Sequence, residues 1–190
     1  MAETLAIQGG TKSVTIEELD RWEKMTDTMV AEVERAVASN AVWSEGQKLA
    51  RDVEGAFAEM IGANYAVSQH NGTSTLWSSY FALGVGPGDE VIHPNFTWIC
   101  SVAPTYMLGA RPVFAEIDPK TFLIDPEDIE KRITKNTKAI VAVHWGGNVC
   151  DMAGVMDVAD RHGIPVVEDC SHAHGAKFDG KSVGTIGAMG

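Results

Sequence analysis

Short unbroken apolar runs alternate along this chain with longer stretches whose apolar residues recur every three or four positions. The first pattern reads as strands buried on both faces, the second as helices with one apolar side. The runs predict strands at Tyr65–Ser68, Glu90–His93, Pro112–Ile117, Lys138–Val143 and Ile164–Val167. Between them the spacing predicts helices over 73–83, 97–108, 126–133 and 152–161. Gly84, Gly109 and Gly163 stand where three of these helices should close. Asp125-Pro126 supplies an N-cap followed by proline at the first helical position. Strand and helix in strict alternation imply an α/β fold: a mostly parallel sheet in three layers, with helices on both faces.

The N-terminal third has a different character. Residues 1–14 contain Gly9-Gly10 and read as an irregular arm. Thr15-Ile16-Glu17-Glu18 is a capping-box pattern, and a helix is expected from it to Ser39. Its apolar positions include Trp22, Met25, Met29, Val30, Val33 and Val37. Ala41–Gln47 reads as a loop and Lys48–Ile61 as a second helix. The domain reading is therefore 1–47 for arm, helix and loop, and 48–190 for the large domain. Residues 175–190 are glycine-rich and predict a short hairpin or loop.

Composition narrows the function classes. The net charge is -11 with no Lys/Arg cluster, which argues against nucleic acid or an anionic membrane as the main partner. Small anions remain open, because backbone amides can hold them. No apolar run reaches membrane-spanning length, and Met1–Gly10 lacks a signal-peptide pattern. Three well-separated cysteines with no CxxC pair support neither a disulfide framework nor a zinc site, so a reducing cytoplasm is the simplest location.

In an open parallel sheet, ligands gather at the carboxyl ends of strands. Four such ends carry specific chemistry. Asn71-Gly72-Thr73-Ser74 opens a helix with a glycine and two hydroxyls, the makings of a phosphate site; helix capping alone is the alternative. Trp98 lies just past another strand end and could cover a planar ring or simply pack in the core. His144-Trp145-Gly146-Gly147 forms the third end, and its histidine reads as structural, as does His174. The fourth is Asp169-Cys170-Ser171-His172. An ionised Asp169 could pair with a protonated ring nitrogen, and His172 could bond a neighbouring ring substituent. A salt bridge and a satisfied structural histidine are the alternatives.

Other motifs fit less well. Gly84-Val85-Gly86-Pro87-Gly88 lies between helix and strand, the wrong place for a dinucleotide fingerprint. No Walker lysine motif or GxSxG elbow occurs. Asp169, His172 and His174 form only a loop pair plus an acid, a weak metal pattern. A phosphate cradle, a stacking aromatic and a pyridinium-binding acid, in that order, together describe a holder for pyridoxal phosphate.

The segments NGTSTL, GVGPGDEVIHPNFTW, GARPVFAEID, TKAIVAVHWGG and VEDCSHAHGAKFDGKSVGTIG extend that match over nearly the whole chain. In order and spacing they resemble the DegT/DnrJ/EryC1/StrS group of fold-type-I pyridoxal-phosphate enzymes, the sugar and cyclitol aminotransferases. The resemblance implies that Gly72, Thr73 and Ser74 hold the cofactor phosphate, Trp98 stacks on the ring, Asp169 binds its nitrogen and His172 sits near its ring oxygen. It implies amino transfer from Glu or Gln to a nucleotide-linked keto-sugar or a keto-cyclitol, in a homodimer. A deoxysugar dehydratase and a non-catalytic protein of the same fold are the alternatives. The family's Schiff-base lysine belongs to an F-S-F-x-x-x-K segment expected about seven positions after Gly190. Lys177 and Lys181 precede that segment and do not match it. The chain is thus expected to lack the lysine and the small C-terminal domain, and to be inactive alone.

Overall fold

A computed structural model describes residues 10–11, 25–39 and 44–190. The chain divides into two compact units, Met1–Lys48 and Leu49–Gly190. The Thr15–Glu18 capping box, Gly9 and Trp22 lie outside the described residues. Helix α1 spans Asp27–Ala38, and Met25 and Thr26 before it are not helical. Among the described residues of the expected helix from 15 to 39, the helix starts at Asp27. The physical reason is Thr26, whose extended backbone (ψ 157°) lets its hydroxyl accept the Met29 N–H and cap α1. Helix α2 spans Ser44–Ile61, four residues earlier than expected; one glycine, Gly46, in a first turn does not stop a helix.

The second unit is built on four parallel strands: β1 (Glu90–Pro94), β2 (Arg111–Ala115), β3 (Thr137–Val143) and β4 (Val166–Asp169). Their spatial order is β2-β1-β3-β4. Helix α3 (Gly72–Ala82) leads into β1, and α4 (Ile99–Met107), α5 (Pro126–Arg132) and α6 (Met152–His162) connect the strands. The pleat sorts the strand residues into two cores. Ile92, Ile140, Ala142 and Val166 face α5 and α6 with Ile129, Met152 and Val155. Val91, Val141, Val143 and Val167 face Leu76 and Tyr80 of α3, against which α4 packs. Each fully buried Ile or Val contributes about 1.5–3 kcal/mol. This three-layer α/β architecture is the one the alternating pattern predicts.

Two strands differ from expectation. Tyr65–Ser68 has no regular secondary structure and joins no ladder, with Tyr65 and Val67 exposed. Among the described residues it has no strand neighbour, and Ser68 instead donates its N–H and hydroxyl to Glu54. β4 runs two residues later than Ile164–Val167. Ile164 is taken by the end of α6, where its N–H bonds the Ala159 carbonyl next to left-handed Gly163. The strand consequently carries both Glu168 and Asp169, on opposite faces. After β4, a two-residue hairpin of β5 (Lys177–Phe178) and β6 (Lys181–Ser182) occupies the glycine-rich end, and Met189 bridges in parallel to Val167. Among the described residues no helix is long and apolar enough to cross a membrane.

Candidate functional site

An open cleft of about 220 Å³ lies across the carboxyl ends of β1, β3 and β4 and the start of α3. Gly72, Thr73, Trp98, Ser101, His144, Trp145, Asp169, Ser171 and His172 line it with Leu76, Cys100 and Val143. Five of the six residues named from the sequence thus meet in one place. Ser74 does not line the cleft: its N–H is capped by Asn71 Oδ1, and its hydroxyl bonds His70 Nε2 at 2.9 Å.

The helix start is a donor set with little to occupy it. Asn71 is the N-cap of α3 and satisfies Ser74 N–H at 2.9 Å and Thr75 N–H through its carbonyl at 3.2 Å. The amides of Gly72 and Thr73 precede the helical ladder and point at no protein acceptor among the described residues. The Thr73 hydroxyl also makes no bond there. These groups, with the positive end of the helix dipole, suit an anionic phosphate. A Cβ added at Gly72 would sit 3.5 Å from Ser171 Oγ, an ordinary contact that would narrow the cradle.

Asp169 ends β4 on the α3–α4 side and is 8% exposed. Its Oδ2 accepts the Ser101 hydroxyl at 2.7 Å. Its Oδ1 accepts the Ser171 hydroxyl at 2.6 Å and the Ser171 N–H at 3.2 Å. No cation pairs with it among the described residues. Burying a carboxylate among neutral donors alone is costly, so the position asks for a further partner from the cleft. Trp98, at the N-cap of α4 and 64% exposed, presents its indole at the cleft wall, where its N–H reaches Cys100 Sγ at 3.1 Å.

His172 receives the Gly146 N–H on Nδ1 at 3.1 Å, which leaves a proton on Nε2 and makes that nitrogen a donor. Its ring meets Trp145 edge-on at 4.9 Å. The turn that makes this possible needs glycine twice. Gly146 and Gly147 have φ of 63° and 84°, and a Cβ on Gly147 would lie 3.2 Å from the His172 carbonyl.

His144 lines the cleft, but its ring is spent on structure. Nδ1 accepts the Cys150 N–H at 3.1 Å, so Nε2 donates to Glu168 Oε2 at 3.1 Å. Glu168 also receives the N–H groups of Gly184, Ile186 and Gly187 at 2.7–2.9 Å. Burial works to raise this carboxyl, yet His144 and the three amides outweigh it and hold it below the usual glutamate range. His144, Glu168 and Cys170 lie within 4.8 Å of one another. That grouping reads as structural rather than metal-binding, because the histidine nitrogens and the carboxylate are already engaged and burial keeps the Cys170 thiol protonated. His174 stands outside the cleft lining, its ring edge-on to Phe57 at 6.5 Å.

Ser101, Ser171, Trp145 and Cys100 were not among the residues singled out. A signal for Ser101 was present: it follows Trp98 by three residues, the spacing that puts two helical side chains on one face.

Fold and cleft together define the class. The arrangement is that of the large domain of fold-type-I pyridoxal-phosphate-dependent aminotransferases, which the solved neighbours share. The chain belongs to the DegT/DnrJ/EryC1/StrS aminotransferase family, whose model matches residues 23–190. It is similar to L-glutamine:scyllo-inosose aminotransferase of Streptomyces griseus, with 37% identity over all of this chain and 46% of that protein. An aminotransferase from Psychrobacter cryohalolentis superposes with a TM-score of 0.85 at 42% identity, over 90% of this chain and 43% of that one. A chain from Streptococcus pneumoniae, solved in PLP and PMP forms, superposes with a TM-score of 0.79 at 27% identity, over 86% of this chain and 45% of its own. The chain spans less than half the length of these relatives.

Proposed function

We propose that this chain holds pyridoxal 5′-phosphate in the β1–β3–β4 cleft and serves amino transfer from glutamine or glutamate to a keto-cyclitol or a nucleotide-linked keto-sugar. The observation that carries the reading is Asp169, a nearly buried carboxylate with three neutral donors and no cation among the described residues, and an open side toward the cleft. Bound there, the cofactor supplies an electron sink for breaking the bonds at the amino-bearing carbon of the donor. Asp169 would hold the ring nitrogen, and the free amides of Gly72 and Thr73 with the Thr73 hydroxyl would hold the phosphate. Trp98 would cover one ring face and exclude water from it. The Nε2 proton of His172 would serve the ring oxygen. Ser74 is engaged by Asn71 and His70, so its share in phosphate binding is the smallest of the set.

The relatives support the substrate class. The Streptomyces griseus protein takes an amino group from L-glutamine to scyllo-inosose, a keto-cyclitol. The Streptococcus pneumoniae PLP and PMP forms support the cofactor. No lysine lines the cleft among the described residues, so we expect the isolated 190-residue chain to be inactive. We further propose a cytoplasmic homodimer. Three free cysteines fit a reducing compartment, and Phe81, Ile99, Tyr106 and Met107 expose an apolar face on α3 and α4. The test is turnover by the full-length protein given pyridoxal phosphate, glutamine or glutamate, and panels of keto-cyclitols and nucleotide-linked keto-sugars. The expected result is an amino product with one keto acid released per product. Absence of amino product from every pair would overturn the reading.

A further inference from the structure

The donor count at Asp169 has a directional consequence. A carboxylate offers about four acceptor sites, two on each oxygen. Oδ1 has both filled, by the Ser171 hydroxyl and the Ser171 N–H. Among the described residues Oδ2 has one filled, by Ser101. The open site is therefore on Oδ2, the oxygen that Ser101 holds.

Ser101 is itself fixed from three sides. It is 2% exposed, and its N–H bonds the Trp98 carbonyl at 2.9 Å in the first turn of α4. Its carbonyl accepts the hydroxyl of fully buried Tyr80 at 2.8 Å. Burial and the Asp169 charge push that phenol upward, so it stays a donor. Because Ser101 Oγ gives its only proton to Asp169, the 3.1 Å bond from Thr97 Oγ1 must run toward it. The result is an oriented line of donors, Thr97 to Ser101 to Asp169 Oδ2, anchored on the helix turn that also presents Trp98.

We infer that Ser101 is a positioning residue: it holds Oδ2 of Asp169 so that the single open acceptor site faces a ring nitrogen in the cleft, with Thr97 orienting it from behind. This rests on the cofactor reading above. The Trp98-x-x-Ser101 spacing makes one helical turn set both the plane of the ring and the direction of the acid beneath it.

The experiment compares two non-covalent probes on the full-length protein: pyridoxamine 5′-phosphate and its analogue with carbon in place of the ring nitrogen. Dissociation constants are measured for wild type and Ser101→Ala. We expect the variant to bind pyridoxamine phosphate about tenfold more weakly and the carbon analogue as wild type does, since that analogue gives Oδ2 no proton. Equal weakening for both probes would show that Ser101 merely packs, and no weakening for either would show that Asp169 orients itself; each overturns the inference. A wild type that does not distinguish the probes overturns the Asp169–ring pairing as well. Should Ser101→Ala not fold, Thr97→Val leaves Ser101 and Asp169 in place. It is expected to show the same selectivity at about threefold, and loss of selectivity there overturns the inference equally.

Discussion

Glu168 and Asp169 are neighbours on one strand, both buried, and they have opposite fates. The pleat sends Glu168 to one face of β4, where His144 and the amides of Gly184, Ile186 and Gly187 fill all four of its acceptor sites. Asp169 faces the other side, has three donors and lines the cleft. The difference separates structure from chemistry better than burial does. A buried acid with every site filled has nothing left to bind, whereas one with a site open toward solvent-accessible space is built incomplete.

The comparison breaks most visibly at Asp169. Asp169→Ala should reduce amino transfer by the full-length protein by about 10²–10³-fold, the scale of losing one preorganised charge partner. Its unfolding midpoint should stay close to wild type, since the change leaves two serine hydroxyls beside a cleft that water can enter. Steady-state rates and urea unfolding on the same samples check this. Near-normal turnover would remove Asp169 from the role assigned to it.

Glu168→Gln should do the reverse. The glutamine carbonyl can still accept two donors, but its NH₂ faces the other two without accepting them, so the clasp on the 184–187 segment loses the bonds to His144 and Gly184, at a cost of about 3 kcal/mol in urea unfolding. Because the folded state holds Glu168 below its ordinary range, the unfolded state binds more protons on acidification. Its contribution is complete above the free glutamate value of about 4.3 and is lost as pH falls beneath it. The Gln variant should therefore show a flatter stability profile below that value. A Gln variant as stable as wild type at neutral pH would show the clasp to be idle.

The sequence carried one half of this contrast. Asp169 was legible because it follows a continuous apolar run, one residue after Glu168, and opens the loop at the end of the sheet where ligands bind. The role of Glu168 was not, because its partners lie 16 to 19 residues away in a glycine-rich stretch with no pattern of its own. The α/β order was legible for the same reason as Asp169, since periodicity is local. Tyr65–Ser68 shows the limit: its composition suits a strand, but a ladder needs a neighbour, and composition does not supply one. Thr26 shows another, where one capping hydroxyl starts α1 at a point that the apolar spacing does not mark. Ser101 lay within reach, one helical turn after Trp98.

The most gradual effect concerns His93, spread over several pH units, and it decides which acid loss belongs to Glu168. His93 is fully buried in β1, with Nε2 bonded to Thr105 Oγ1 at 2.9 Å, Nδ1 without a partner among the described residues and its ring edge-on to Tyr80. Burial pushes its pKa down to about 3, so the folded protein keeps it neutral. The unfolded chain takes up this proton near pH 6.5, and stability should fall with pH from there by up to about 1.4 kcal/mol per unit until the folded histidine titrates. Between about pH 6 and pH 5 this slope acts before the Glu168 contribution is touched. His93→Gln, which can still bond Thr105, should flatten that interval and leave only the Glu168 share of the loss below about pH 4.3, while Glu168→Gln should keep the upper slope and remove that share. Urea midpoints across pH 3 to 8 for the two variants resolve the windows; a Glu168→Gln variant that flattens the upper interval would mean that the two sites are coupled through the sheet between β1 and β4.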